Sequence, residues 1–204
     1  MKPSHYEALL AEYSDRSALI ELLKQFRPYL EMLPSMRRPG DSLIGVPLPL
    51  IRLRVEELLD NHLSRYRSEV LQLPCDIGIL MCDPEWKIKT GVEIFVFIYR
   101  PGEDFSDLLG RWRKTQVLLS KNYEWVLPPR YRHILTDGAE DVLPLFVVLD
   151  DTPKRILKGL RGALLPYVIQ HPKVGFVQDT EELGELNEEG LSFSDIDISE
   201  LDLG

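Results

Sequence analysis

Two carboxylates, Asp76 and Glu93, stand where acidic side chains could do chemistry, since each lies at the entry of an apolar segment typical of a buried strand. Oxygen ligands that converge with a group able to activate water would hold a divalent metal and support hydrolysis. Glu93 is followed by Ile94 and Phe95, so no Glu-x-Lys pattern forms. We therefore predict no catalytic site. A metal-dependent hydrolase that uses Asp76 with Glu93 or Glu103 remains the alternative.

Signatures of other chemistry are absent from the sequence: it has no Walker-type phosphate loop, no G-x-G-x-x-G, no G-x-S-x-G and no H-E-x-x-H. His62 falls on the apolar side of a predicted helix and is expected in the core rather than on a metal. Cys75 and Cys82 flank a predicted strand and are expected to be buried, inert thiols. We expect no metal and no cofactor. The four histidines are scattered along the chain: His5, His62, His133 and His171.

Basic residues are frequent after the apolar segment of residues 92–100. They are interleaved with aromatic side chains such as Trp112 and Tyr131. Basic groups neutralise phosphates and rings stack on bases, so DNA is a candidate partner. The same spacing also suits helices that keep one face in water, and that alternative stays open. The candidate nucleic-acid-binding residues are Arg111, Arg113, Lys114, Lys121, Arg130, Arg132, Lys154, Arg155, Lys158 and Arg161.

Acidic charge is concentrated at the C-terminal end. The chain has 33 Asp and Glu against 24 Lys and Arg, a formal net charge of −9. Ten acids and no base follow Lys173, so residues 1–173 carry a net charge of +1. Residues 191–203 alternate acidic and apolar side chains, which is typical of a segment that becomes ordered on a partner. We expect a protein partner to bind this tail, although a purely solubilising tail is the alternative. The expected partner-binding residues are Phe193, Ile196, Ile198 and Leu201.

Periodicity in the first third of the chain predicts helices. Apolar spacing predicts a helical segment over residues 5–33, with a restart at Ser14 or Asp15 and an end or kink at Pro28. Residues 34–47 combine Pro, Gly and Ser without an apolar period and are predicted to be a loop. From Ile51 to Val70 the spacing follows i, i+3/i+4, i+7, which predicts a long helix.

The pattern then changes to short apolar runs. Residues 75–82 and 92–100 are predicted to be two strands of a hairpin, and the unbroken hydrophobicity of residues 94–99 predicts a central strand covered on both faces. A helix is expected from about Asp104 to Lys121 and a buried strand over residues 142–150. A further helix with Thr152 as its N-cap is expected to carry Ile156, Leu157, Leu160, Leu164 and Val168, followed by a strand over residues 174–178.

These elements predict an α/β fold with a mixed sheet sandwiched by helices, and their order is that of restriction-endonuclease-like cores. We expect an N-terminal helical segment and loop (1–47), an α/β core (48–178) and an acidic tail (179–204). With 204 residues, 44% hydrophobic and 28% charged, the chain is neither fibrous nor wholly disordered. No run is long and apolar enough for a membrane span and no leader is evident, which predicts a cytoplasmic protein.

The stretch from about Leu53 to Leu183 resembles the core of the replication-relaxation family, which is encoded on bacterial plasmids and integrative elements. The resemblance is carried by Pro74-Cys75-Asp76, by FVFIYRPGED from Phe95, by the basic helix after it and by LFVVLDDTPKRILKGLRGAL. The chain departs from the family pattern, since Ile98 stands at the family's Glu and Arg100 at its Asp. The resemblance implies a DNA-handling context and a core that lacks its acidic centre.

The sequence thus predicts a non-catalytic binding or assembly protein of a bacterial or phage DNA-handling system, with a degenerate nuclease-like core. Two alternatives are a nuclease-like hydrolase that uses Asp76 and a structural protein-interaction subunit without nucleic acid.

Overall fold

The computed structural model describes residues 3–58, 64–85, 89–131, 133–134 and 137–171. The described residues belong to one compact unit within Met1–Pro172, and residues 173–204 lie outside the described residues. The expected strand 174–178, the acidic tail and its partner-binding residues therefore lie outside the described part, as does His62. Within the described residues, no helix is both long and apolar enough to cross a membrane.

The N-terminal segment folds into three short helices, α1 (Pro3–Glu12), α2 (Arg16–Lys24) and α3 (Arg27–Leu30). Asp15 is the N-cap of α2, because its carboxylate accepts hydrogen bonds from the backbone N–H groups of Ser17 and Ala18. The predicted restart at this position is confirmed. Residues 34–47 are only partly a loop, since the last five form strand β1 (Leu43–Pro47).

A five-stranded mixed sheet forms the centre of the unit. Its strands are β1, β4 (Ile77–Cys82), β5 (Lys89–Ile98), β7 (Asp141–Leu149) and β8 (Tyr167–Gln170), in the order β1-β4-β5-β7-β8. The β1-β4 and β4-β5 pairs are antiparallel, whereas β5-β7 and β7-β8 are parallel. Residues 94–98 of β5 are completely buried, which confirms the predicted central strand.

The helix predicted over Ile51 to Val70 is wrong. This region forms an antiparallel hairpin of β2 (Leu50–Leu58) and β3 (Ser64–Gln72), which joins β6 (Tyr123–Trp125) in a three-stranded sheet. From Ile51 to Val55 the chain alternates apolar and basic residues, and buried Ile51 and Leu53 flank exposed Arg52. Period two is the strand signal, and it coexists here with apolar residues at helical spacing.

The two sheets pack through aromatic side chains. Trp125 of β6 stacks on Phe95 of β5 with ring centroids 5.9 Å apart. Its ring also covers Gly78 of β4, where an added Cβ would lie 2.6 Å from the indole. A side chain at position 78 would therefore push the two sheets apart.

Two crossover helices, α4 (Phe105–Leu119) and α5 (Lys154–Gly162), connect the parallel strands. Asp104 and Asp107 form a capping box that fixes the start of α4. The prediction that Thr152 is the N-cap of α5 is wrong, because Pro153 occupies that position. The Thr152 hydroxyl accepts a hydrogen bond from the Leu149 N–H instead. The predicted continuation of this helix to Val168 is also wrong, because Val168 belongs to β8.

Helices cover both faces of the five-stranded sheet. The face with Phe95 and Phe97 packs against α4, α5 and the three-stranded sheet, whereas the face with Ile94 and Val96 packs against α1–α3. The predicted α/β fold with a mixed sheet is confirmed. The start of β4 and the end of β5 meet at one edge of the five-stranded sheet, between the two helical layers.

Candidate functional site

Asp76 lies immediately before β4, and its backbone is tied to two elements. Its N–H donates to the Val96 carbonyl of β5 at 2.9 Å, and its own carbonyl accepts the Leu48 N–H at 2.8 Å. The side chain is completely buried at the edge of the sheet where β5 ends. A carboxylate in such a place must be matched by hydrogen bonds and positive charge.

Four donors meet the Asp76 carboxylate. Oδ1 accepts the Tyr6 hydroxyl at 2.8 Å and Nη2 of Arg100 at 2.7 Å. Oδ2 accepts the backbone N–H of Ile98 at 2.6 Å and Nη2 of Arg111. Because an ionised carboxylate has about four lone-pair sites, these contacts saturate both oxygens.

Arg111 connects this carboxylate to a second one. Its Nη1 lies 3.3 Å from both carboxylate oxygens of Glu103 and donates to the Ile98 carbonyl at 3.0 Å, while its Nε donates to the Pro74 carbonyl at 3.1 Å. Glu103 also accepts the Arg100 N–H. The cluster of Asp76, Glu103, Arg100 and Arg111 therefore holds two negative and two positive charges. We call these four residues with Tyr6 the Asp76 cluster.

The two arginines of the Asp76 cluster differ in exposure. The side chain of Arg111 is 11% exposed, whereas that of Arg100 is 42% exposed and lies over the Tyr6 ring at 5.4 Å. Arg100 Nε is buried and has no hydrogen-bond partner among the described residues. Arg100 is thus the member through which the cluster meets solvent.

Burial shapes the acid-base properties of this region. Desolvation raises the pKa of Tyr6, and the neighbouring Asp76 carboxylate raises it further. Desolvation also raises the pKa of Glu103, against the opposing effect of Arg111. The buried Cys75 thiol has a pKa well above its ordinary value for the same reason, with Asp76 adding to the shift. Neither Tyr6 nor Cys75 is thereby activated as a nucleophile.

Glu93 occupies a separate buried cluster. Its Oε1 accepts Nζ of Lys89 and Nε1 of Trp125, both at 2.7 Å, and its Oε2 accepts the Tyr123 hydroxyl at 2.7 Å. Burial and the Glu93 charge together raise the pKa of Tyr123. Because Tyr123 and Trp125 belong to β6, Glu93 joins the two sheets by hydrogen bonds.

The alternative metal site of Asp76 with Glu93 does not form. Asp76 lies beside the Phe97 position of β5, four residues from Glu93, which is about 13 Å along a strand. Each oxygen ligand of a divalent cation lies within about 2.6 Å of it, so two positions about 13 Å apart are too distant to share one. Glu103 does lie near Asp76, but the Arg111 guanidinium stands between the two carboxylates. Among the described residues, no group of three His, Cys, Asp or Glu side chains could hold a metal ion.

The structure separates the candidate basic residues. The prediction that Arg111 belongs to a nucleic-acid surface is wrong, because its guanidinium points into the Asp76 cluster and is not available to a phosphate. Arg132 lies outside the described residues, and Arg130 lies in a different surface cleft. The remaining candidates are exposed on or beside α4 and α5: Arg113, Lys114, Lys121, Lys154, Arg155, Lys158 and Arg161.

Sequence reasoning found Asp76 but missed its partners. Tyr6, Arg100 and Arg111 lie 70, 24 and 35 residues away from it in the chain. The available signal was indirect: a carboxylate next to an apolar strand needs a cation, and Arg100 and Arg111 flank the start of the next helix.

Comparison of the chain with models of protein families, with curated proteins and with solved structures finds no significant match.

Proposed function

We propose that this protein is a non-catalytic binding and assembly protein of a bacterial or phage DNA-handling system. The observation that carries the proposal is the occupancy of Asp76: two guanidinium groups, a tyrosine hydroxyl and a backbone N–H use all of its oxygen lone pairs. A carboxylate in this state has no free lone pair for a metal ion or for a proton in transit. The centre is a structural ion cluster rather than a reaction site.

The core is proposed to be a degenerate nuclease-like core of the restriction-endonuclease type. The β4-β5 hairpin followed by α4 and β7 agrees with the expected order, whereas the expected long helix before it is replaced by the β2-β3 hairpin. Arg100, at the position of an acid in the replication-relaxation pattern, supplies positive charge where a metal-dependent core would hold a cation. In the proposed core, arginines take over the neutralisation of Asp76.

The surface of α4 and α5 supports a DNA-binding role. The two helices expose six basic residues against one acid, Asp107, and lie on the same face of the sheet, while the seventh basic residue, Arg111, belongs to the Asp76 cluster. Lys154, Lys158 and Arg161 recur at i, i+4 and i+7 and are all exposed. They form one basic stripe that could follow a phosphate backbone.

Fluorescence anisotropy with a labelled DNA duplex over a series of salt concentrations tests this surface. The triple variant Lys154→Gln/Lys158→Gln/Arg161→Gln should weaken binding at every salt concentration. If all three side chains contact phosphates, the slope of log K against log salt should become shallower by about 3. The matched control Lys24→Gln/Arg27→Gln/Arg37→Gln removes the same charge from the region of α2 and α3, on the other face, and should bind like the wild type.

If both triple variants weaken DNA binding equally, the attraction is nonspecific and the proposal that α4 and α5 form the DNA-binding surface is refuted. An absence of duplex binding by the wild type at low salt, together with a stable protein partner, would favour a structural interaction subunit without nucleic acid.

The acidic tail is proposed to recruit a basic protein partner through Phe193, Ile196, Ile198 and Leu201. Removal of residues 179–204 changes the formal net charge from −9 to +1. This truncation should lose the partner in a pull-down and strengthen DNA binding at low salt, because the repulsive charge is gone. A truncated protein that keeps the partner and gains no DNA affinity would leave the tail a solubilising segment.

A further inference from the structure

A surface cleft of about 500 Å³ lies beside α2 and β1, away from the Asp76 cluster. Arg16 begins α2, Arg38 precedes a single 3-10 turn that ends at Asp41 before β1, and Arg130 lies in a 3-10 turn after β6. His133 and Ile134 complete the wall on the Arg130 side. The volume falls within the range of small-ligand sites, about 300 to 1,000 Å³.

Three arginines line this cleft, and most of their side-chain donors have no partner among the described residues. Arg16 donates to the Gly40 carbonyl and to the Tyr131 hydroxyl, both at 3.4 Å, which is long for a hydrogen bond. The Arg130 guanidinium lies 4.7 Å from the centre of the Tyr131 ring. Tyr131 therefore contacts two guanidinium groups, one at its hydroxyl and one at its ring. Within the described part of the chain, neither Arg38 nor Arg130 has an ion-pair partner.

Such a group of arginines is suited to a phosphate. A guanidinium presents five N–H donors in a planar fork that matches two phosphate oxygens at once. The cleft is also lined by two carboxylates, Asp41 and Asp83, so three arginines and two aspartates leave it a formal charge of +1, which still favours an anion. The arginines account for one part of a ligand only, since the cleft is larger than a phosphate ion.

The rest of the cleft defines the other part. Asp41 is exposed and is suited to accept hydrogen bonds from sugar hydroxyls, as carboxylates do in dinucleotide sites. Ile44, Pro84 and Ile134 provide an apolar wall for a flat base. We propose that this cleft binds a nucleotide, with its phosphate at Arg16, Arg38 and Arg130. This site does not depend on the proposed DNA surface of α4 and α5.

The nucleotide could be free or could be the phosphorylated end of a strand, and the probes distinguish these sources. Isothermal titration calorimetry with AMP, adenosine and inorganic phosphate measures the parts separately. Wild-type protein should bind AMP more tightly than either part. A single-stranded oligonucleotide with a 5′-phosphate is then compared with AMP: tighter binding of the oligonucleotide identifies a strand end, and tighter binding of AMP identifies a free nucleotide.

Arg38→Gln and Arg130→Gln should each weaken AMP binding about tenfold or more, because each loses a charged hydrogen-bonding group. Both side chains are exposed, so the variants should melt like the wild type. Arg37→Gln is the matched control, with the same charge change at an adjacent exposed position outside the cleft, and it should leave affinity unchanged. The proposal is overturned if the wild type does not bind AMP, if phosphate alone binds as tightly, or if Arg37→Gln weakens binding as much as Arg38→Gln.

Discussion

Replacement of Asp76 by asparagine should destabilise the protein strongly, although the change removes no atom volume. The variant keeps an oxygen acceptor but leaves Arg100 and Arg111 with Glu103 as their only carboxylate, so a neutral cluster gains a net positive charge. Breaking a buried ion pair by removal of one partner costs about 3 to 5 kcal/mol. Total stabilities are about 5 to 15 kcal/mol, so the loss is a large fraction.

Urea unfolding followed by circular dichroism measures this loss directly. A thermal melt of the same variant should show a melting temperature lower by about 10 °C, since 1 kcal/mol corresponds to about 2 to 4 °C for a domain of this size. Asp150→Asn is the matched control, because Asp150 faces His171 at 3.3 Å on an exposed surface, and such pairs contribute about 1 kcal/mol or less.

A double variant separates charge from packing. Asp76→Asn/Arg100→Gln restores a neutral cluster, since Arg111 and Glu103 remain paired. Its destabilisation should be smaller than the sum of the two single changes. If Asp76→Asn lowers the free energy of unfolding by no more than Asp150→Asn does, the ion cluster does not stabilise the fold and the reasoning fails.

Three further predictions concern the core, the thiols and the pH dependence of stability. Phe97→Ala should cost about 3 to 5 kcal/mol in urea unfolding, because the ring is fully buried between Trp112 and Phe146; a loss below about 1 kcal/mol would refute the central position of β5. Burial raises the pKa of the Cys82 thiol to about 11, so alkylation of the native protein at pH 8 should be slow and become fast only in urea; rapid native alkylation would contradict it. The pKa of Glu103 is raised by burial, so its stabilising contribution is present below its ordinary pKa and lost as the pH rises through the raised one. The stability of the wild type relative to Glu103→Gln should therefore fall with rising pH, and a rise would contradict the sign.

The local parts of this fold are predictable from the sequence because their signals are local. The capping box of Asp104 and Asp107 indicates the start of α4, and the apolar run of residues 92–100 predicts a strand buried on both faces. The β2-β3 hairpin is different: its apolar residues satisfy a helical and a strand period at once. Pairing with β6, more than fifty residues away, favours the strand form.

The candidate site was predictable only in part for the same reason. Asp76 is visible as a carboxylate beside a strand, but whether it binds a metal or an arginine depends on side chains 24 to 70 residues distant. Arg111 illustrates the limit, since it stands in a basic group with Arg113 and Lys114 that is typical of a surface, while its guanidinium lies inside the cluster. The cleft of Arg16, Arg38 and Arg130 likewise unites residues from three separate parts of the chain.

The most direct test of the central claim, a core without a catalytic centre, is a plasmid-cleavage assay with Mg²⁺ or Mn²⁺ on the full-length protein. The arginine-neutralised Asp76 predicts that supercoiled plasmid stays intact with either ion, and that Asp76→Ala behaves like the wild type in this assay. Cleavage by the wild type that disappears in Asp76→Ala, while circular dichroism shows that the variant is still folded, would show that Asp76 acts in catalysis and would contradict the account.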